Sequence, residues 1–207
     1  MKSESCLLRL GFVAVTGMLL TGCLLKRATD STRHFVLSPI STDEPAPTAA
    51  KHLSIGIGFV KMPSYLLRNS VAVRTGANQI EYLGDARWAE RLDQCFQWTL
   101  AANLSRLLPS DSVHVADWGR DQMSTRVFIT VQQFDVDRQG RGALIAQWRI
   151  TAPDSDEPLK SSEARLARTG PSPRGNADVV ATTLSELAGE FSRELAQSIR
   201  ESVKSGP

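Results

Sequence analysis

Two long stretches of the sequence repeat apolar residues at the spacing of an amphipathic helix. The first runs from about Ala86 to Leu108 and stops at Pro109, which cannot continue a helix. The second follows Asn176, a residue type that caps helices, and has Asp178 in its first turn, where the helix dipole favours negative charge. The first stripe is Ala89, Leu92, Phe96, Leu100, Leu104 and Leu107, and the second is Val180, Leu184, Leu187, Phe191, Leu195 and Ile199. We predict two long helices, each burying its stripe.

Shorter stretches alternate apolar and polar residues, as half-buried strands do. The predicted strands are residues 34–37, 53–63, 71–75, 78–83, 113–116, 125–136 and 142–151, and residues 158–169 could extend the last pair. In the second strand one face carries Leu53, Ile55, Ile57 and Phe59. Gly56 and Gly58 lie on its other face, where they leave room for a close neighbour or mark a bulge. This pattern predicts a single α/β domain, with two helices packed on a mixed sheet.

The first residues read as a leader that is removed before the domain folds. Lys2 and Arg9 precede an apolar run from Leu10 to Leu20, which is shorter than the roughly 20 residues that span a bilayer. The run ends in Leu-Thr-Gly-Cys at residues 20–23, which resembles the lipobox of bacterial lipoproteins. The resemblance implies cleavage after Gly22 and a covalent lipid on Cys23. An ordinary signal peptide with a chance cysteine is the alternative.

These signals divide the chain into three parts: residues 1–22 as a lipoprotein signal peptide, 23–33 as a lipidated tether and 34–204 as the domain. The tether reaches about 35 Å when fully extended. Its basic residues could rest on anionic headgroups or simply keep the tether solvated; they are Lys26, Arg27 and Arg33. Cys95 is then the only free cysteine, which is more typical of a small buried residue than of a nucleophile.

Charge and motifs argue against several classes of function. The formal net charge is +2, of which the leader carries +1, so the rest is nearly neutral and offers no electrostatic case for nucleic acid. The sequence has no Gly-x-Ser-x-Gly, no His-Glu-x-x-His and no glycine-rich loop with lysine. The three histidines are scattered. We therefore predict a protein that is not an enzyme, with no metal and no cofactor apart from the covalent lipid on Cys23.

Two residues of the first predicted helix are candidates for specific roles, one in partner contact and one in hydrogen bonding within the fold. Trp98 lies opposite the apolar stripe among small and polar residues, which makes it a candidate contact for a partner or a sister subunit. The alternative is that a strand or loop covers that helix face. Asn103 falls within the stripe, and a buried amide must be hydrogen-bonded. We expect Asn103 to pin a loop or a strand end, with the segment 63–68 as a candidate.

The stretch 65–109 carries a set of motif positions that continues downstream: Pro63, Tyr65, Leu66, Arg87, Trp88, Ala89, Leu92, Asp93, Gln94, Asn103, Leu104, Leu108, Pro109, Phe134 and Trp148. In these positions the sequence resembles the ABC-type transport auxiliary lipoprotein family, the paraquat-inducible protein C type. One departure is Leu67-Arg68, where many members carry Asp-Arg or another polar pair. The resemblance covers nearly the whole chain after the leader.

The resemblance implies a fold of the anticodon-binding-domain type, a three-layer sandwich. It also implies an accessory lipoprotein that docks a periplasmic transporter protein with a mammalian-cell-entry (MCE) domain, in a system that moves lipids. Leu24 after the lipidated cysteine, where enteric-type sorting uses Asp for inner-membrane retention, indicates the periplasmic face of the outer membrane.

On this basis Trp98, Tyr65 and Leu66 are the partner-binding candidates, and a homo-oligomer is compatible with the role. The structural motif comprises Pro63, Arg87, Trp88, Asn103 and Trp148, with Arg87 and Trp88 at the start of the first helix. The alternative function is a periplasmic lipid carrier. A carrier needs an apolar cavity between sheet and helices that side chains do not fill.

Overall fold

The computed structural model describes residues 31–41, 53–115 and 123–205. The leader, the lipobox and the tether up to residue 30 lie outside the described residues. From Thr32 onward the chain forms one compact unit. Its elements are β1 (Arg33–Phe35), β2 (Leu53–Ile57), a 3₁₀ helix (Ser64–Leu67), β3 (Ser70–Gly76), β4 (Gln79–Trp88), α1 (Leu92–Leu107), β5 (Ser110–Val115), β6 (Thr125–Asp137), β7 (Arg141–Thr151), β8 (Pro158–Thr169) and α2 (Ala177–Ser205).

The described strands form one mixed sheet of eight, organised around β6. On one side β6 pairs antiparallel with β7, which in turn pairs antiparallel with β8. On its other side β6 pairs in parallel with β2 near its start and with β3 near its end. The pairs β2–β5 and β1–β4 are parallel, and β3–β4 is antiparallel. The predicted α/β domain with a mixed sheet is confirmed, including β8 as an extension of the β6–β7 pair.

Turn chemistry explains why β6 and β7 form a hairpin. Gly140 has a φ of +86°, a conformation that side chains with a Cβ rarely adopt. The carboxylate of Asp137 accepts hydrogen bonds from the backbone N–H groups of Gln139 and Arg141, both at 2.9 Å. Side-chain capping of this kind fixes the turn and therefore the register of the two strands.

Both helices pack on the same face of the sheet. Phe96 of α1 meets Phe134 of β6 with ring centroids 5.2 Å apart, and it meets Phe191 of α2 at 5.9 Å. Gly142 of β7 allows α2 to approach closely, because a Cβ there would lie 2.9 Å from Leu187 Cδ1. The six residues of the predicted second stripe are all buried, as are Leu92, Phe96, Leu100 and Leu104 of the first.

On the opposite face of β6 and β7, Thr130, Gln147 and Arg149 are exposed and alternate with buried residues. Within residues 31–41, 53–115 and 123–205 both helices pack on one face of the mixed sheet, which is the α/β arrangement that was predicted.

The predicted start of the first helix at Ala86 is wrong. Residues 86–88 belong to β4, where Ala86 pairs with Arg33 and Trp88 pairs with Phe35. The backbone groups of these residues are used in a parallel ladder with β1, so the helix begins only at Leu92. Arg87 and Trp88 thus end a strand and do not begin a helix.

Phe59 also departs from the prediction. The strand ends at Ile57, and Phe59 is 75% exposed instead of sharing the buried face. Just before it, the chain passes so close to Phe128 that a Cβ on Gly58 would lie 2.9 Å from the ring. The close neighbour expected beside the glycines is thereby confirmed at Gly58.

Candidate docking surface

The segment of residues 37–41, which we call the N-terminal strap, is held against α1 by Asn103. The Asn103 side chain is fully buried. Its Oδ1 accepts a hydrogen bond from the backbone N–H of Ile40 at 2.8 Å, and its Nδ2 donates to Ser192 Oγ of α2 at 2.9 Å. Arg106 donates to the carbonyl of Ile40. Asn103 pins a loop, as expected, but that loop is the strap and not the segment 63–68.

Small residues of α2 hold the other side of the strap. The backbone N–H of Ser38 donates to Ser185 Oγ at 3.0 Å. Gly189 leaves room for Ile40, since a Cβ on Gly189 would lie 2.6 Å from Ile40 Cγ2. Leu37 is buried in the core. The strap is therefore held by side chains of both helices.

A shallow recess opens beside the strap. Val36 is 56% exposed and Trp98 is 57% exposed. The recess has a volume of about 310 Å³ and is lined by these two residues together with Leu37, Glu90, Cys95 and Thr99. We call this set the Val36–Trp98 recess. Its apolar flanks and its single carboxylate give it the composition of a small protein-binding site.

Trp98 owes its exposure to its phase on α1. The helix buries its stripe against α2 and the sheet, and its exposed positions include Gln94, Trp98 and Ser105. A large apolar side chain among polar neighbours is thus presented to solvent. No described strand or loop covers it, so the alternative of a covered face does not hold within these residues. That Trp98 contacts a partner stays a prediction.

Cys95 forms part of the floor of the recess as a small buried residue, which confirms that expectation. Burial raises the pKa of its thiol, and the charge of Glu90 adds to the effect. The thiol lies 3.8 Å from the carbonyl oxygen of Glu90. A protonated, buried thiol is a poor nucleophile.

Tyr65 takes part in a polar cluster within the domain. Its hydroxyl donates to Asp135 Oδ2 at 2.8 Å, and Arg74 donates to the same carboxylate through Nε at 3.0 Å and Nη2 at 2.6 Å. Burial, followed by the charge of Asp135, raises the pKa of Tyr65 well above its usual value. The hydroxyl therefore joins the 3₁₀ helix to β6 and β3, and a partner contact by the half-buried ring stays a prediction.

Leu66 requires a correction. It is only 3% exposed and belongs to the core cluster, so its side chain is not presented to a partner. The 3₁₀ helix turns Leu66 inward toward α1 and β6, in a small space lined also by Leu92 and Phe134.

The residues of the predicted structural motif occupy ordinary packing positions. Pro63 precedes the 3₁₀ helix and its carbonyl accepts a hydrogen bond from Leu66. Arg87 donates to two carbonyls of its own strand. Trp88 and Trp148 are buried at 4% and 3% exposure, and no described atom accepts a hydrogen bond from the indole N–H of Trp148.

Sequence reasoning missed Gln97. The side chain is 5% exposed, and its Nε2 donates to the carbonyls of Ile57 at 3.1 Å and Gly58 at 2.8 Å. It ties α1 to the end of β2. Gln97 lies outside the apolar stripe, so the sequence pattern did not predict that it is buried. Only the fold shows that the end of β2 lies against it.

No group of three or more metal-ligating side chains occurs within residues 31–41, 53–115 and 123–205. In the same part of the chain, no helix combines the length and the apolar character that crossing a membrane demands.

Arg33, the last residue of the predicted tether, pairs with Asp178 at the start of α2 at 2.6 Å and stacks on Phe35.

The sequence matches a family model described as "ABC-type transport auxiliary lipoprotein component" over residues 35–196. The fold is similar to the crystal structure of protein XCC0632 from Xanthomonas campestris, with a TM-score of 0.67 and 13% identity over 84% of this chain and 97% of that one. It is also similar to the crystal structure of an uncharacterized protein, with a TM-score of 0.61 and 22% identity over 81% of this chain and 99% of that one. At these identities the likeness shows the fold alone. No curated protein matches this sequence.

The strap predicts a specific cost for removing the amide of Asn103. We expect Asn103→Ala to lower the free energy of unfolding by about 2 kcal/mol, because it removes both the acceptor of the half-buried Ile40 N–H and the donor to Ser192 Oγ. Urea unfolding of the full chain in detergent measures this. Gln94→Ala, an exposed amide on the same helix, is the matched control and should change the free energy little. Equal effects of the two substitutions would contradict the assignment.

Proposed function

The chain belongs to the ABC-type transport auxiliary lipoprotein family, and from this premise we propose that it is an outer-membrane lipoprotein that docks the periplasmic component of an MCE-type transporter. The protein is an auxiliary component of ABC-type transport. Within that role we assign it a binding function without catalysis, in a system that moves lipids across the periplasm. Its proposed partner is the MCE-domain protein, and its proposed membrane contact is the lipid on Cys23.

The anchor and the strap together support this role. A lipid on Cys23 would hold the domain within about 35 Å of the bilayer, the length of the extended tether. The chain enters the domain at Arg33, which pairs with Asp178 of α2, and then passes into the fixed strap. Confinement to a membrane raises the effective concentration of the domain for a partner that reaches the same membrane. Leu24 in place of Asp favours the outer membrane.

The observation that carries the docking proposal is the exposure of Val36 and Trp98 at one recess. Tryptophan is enriched among residues that contribute most to binding energy, especially where a polar rim surrounds it. Here the polar residues that line the recess beside Trp98 are Glu90 and Thr99. The exposed carboxylate of Glu90 suits a partner segment that places a basic residue next to an apolar one.

The alternative function, a lipid carrier, requires an acyl cavity between sheet and helices. In the described part of the domain the space there, beside Leu66, Phe134 and Leu184, amounts to only about 10 Å³. A space of this size holds about one water molecule. A filled core supports docking and argues against carriage in that position.

The anchor leads to the first prediction for function. We expect Cys23→Ser to release the protein from the outer membrane, because the lipid is its proposed attachment. Fractionation of cells that produce either protein measures the distribution. Wild-type distribution of the variant in the outer-membrane fraction would contradict the anchor, whatever the result for docking.

The recess leads to the second prediction. We expect Trp98→Ala to weaken capture of the purified MCE-domain protein by the membrane-bound full chain about tenfold or more, as loss of a central aromatic contact does. Phe59→Ala is the matched control, because Phe59 is 75% exposed but does not line the recess. Unchanged capture by Trp98→Ala, or equal losses for both variants, would contradict docking at this recess.

A further inference from the structure

The strand β8 is an edge of the sheet over all twelve of its residues. It pairs with β7 from Arg141 to Thr151, and among the described residues no strand pairs with its other side. Such an edge presents a row of backbone donors and acceptors that a further strand can use. Natural proteins usually block long edges with proline or with charges that repel an incoming strand. Between Leu159 and Thr169 there is no proline.

The charges on the helix side of β8 are already neutralised within the domain. Lys160 pairs with Glu201 of α2. Arg168 pairs with Glu186 and, at 2.7 Å, with Glu190 of the same helix. A twofold axis at Ala164 would set Lys160 of each copy opposite Arg168 of the other, but each cation keeps its own carboxylate partner, which offsets their repulsion.

The charges on the other face of β8 are arranged symmetrically. Glu163 and Arg165 flank Ala164 and form an ion pair with each other. Two antiparallel copies of β8 related by a twofold axis at Ala164 would place Glu163 of each copy directly opposite Arg165 of the other. Directly opposed side chains on one face interact most strongly, and opposite charges there stabilise the pairing.

The same charges disfavour the neighbouring registers. Side chains alternate between the two faces, so the side chains that face the helices stay on that side only if the axis passes through a residue. The two adjacent positions of the axis are therefore Glu163 and Arg165. An axis at Glu163 sets two glutamates against each other, and an axis at Arg165 sets two arginines against each other. Like charges directly opposite destabilise a strand pair. The axis at Ala164 is therefore favoured over both adjacent registers.

We propose that β8 is a self-association surface, at which two copies of this chain join their sheets antiparallel about Ala164. The occupant of the edge is a second copy, because the strand is complementary in charge to itself in this register. A twofold interface of this kind uses the same surface on both copies. The proposal does not depend on the docking function and leaves the Val36–Trp98 recess free on each copy.

Charge reversal and charge exchange test this pairing. Glu163→Arg or Arg165→Glu places like charges opposite each other twice in the dimer, and we expect each to raise the dissociation constant about tenfold or more. The double variant Glu163→Arg/Arg165→Glu restores opposite charges and should restore the wild-type dissociation constant. Sedimentation equilibrium of the full chain in detergent measures all four proteins, and circular dichroism verifies that each is folded.

Arg138→Glu is the matched control, because Arg138 is an exposed arginine paired with Glu81 outside β8. It should leave association unchanged. A monomeric wild-type chain would overturn the proposal, as would a dimer insensitive to either single reversal or a double variant that stays dissociated. If the wild-type chain is monomeric and the β8 variants fail to capture the MCE-domain protein, the edge binds that partner and not a second copy. Failure of Trp98→Ala to affect capture concerns the docking proposal alone.

Discussion

The buried amide of Asn103 is the interaction on which the proposed working surface of this domain depends. It satisfies the backbone N–H of Ile40 and the hydroxyl of Ser192, so a single side chain joins the N-terminal strap, α1 and α2. An unpaired polar group in such a place costs about 1–3 kcal/mol, which makes the arrangement close to obligatory once the helices are packed. The strap lies next to Val36, which lines one recess with Trp98. The pairing of β1 with β4 fixes the point at which the tether joins the domain.

The packing of the core distinguishes between the two proposed functions, docking of a partner protein and carriage of a lipid. A carrier needs internal volume and the freedom to open it. Here the aromatic contacts of Phe96 with Phe134 and Phe191 fill the space between helices and sheet. Packing of this kind leaves no room for an acyl chain between helices and sheet. A domain with a filled core suits an accessory component that presents a surface to another protein.

Much of the fold was predictable from the sequence because local periodicity and the final packing agree. The stripe of α2 and the alternation of β6 and β7 needed no tertiary information. The start of α1 was mistaken because parallel pairing with β1 recruits residues 86–88 into a strand, and a pairing partner fifty residues away leaves no local signal. The assignment of Leu66 to a partner surface failed for a related reason, since a 3₁₀ turn decides which way it points.

The proposed site divides in the same way. Helical phase alone placed Trp98 on the exposed side of α1. Only the fold shows that Val36 lies beside Trp98 in the same recess. Gln97 could not be predicted because its acceptors, the carbonyls of Ile57 and Gly58, lie at the end of β2, far from it in the sequence. Family membership followed from motifs that serve packing, so they identify the chain more readily than they identify its contacts.

Amide hydrogen exchange in the strap tests the central claim most directly. If Asn103 and Ser185 hold the strap between the helices, the amides of Ile40 and Ser38 will exchange about as slowly as those in the buried turns of α1. Exchange of both amides at the rate of an unstructured peptide, while α1 remains protected, would show that the strap is not fixed and would contradict the account.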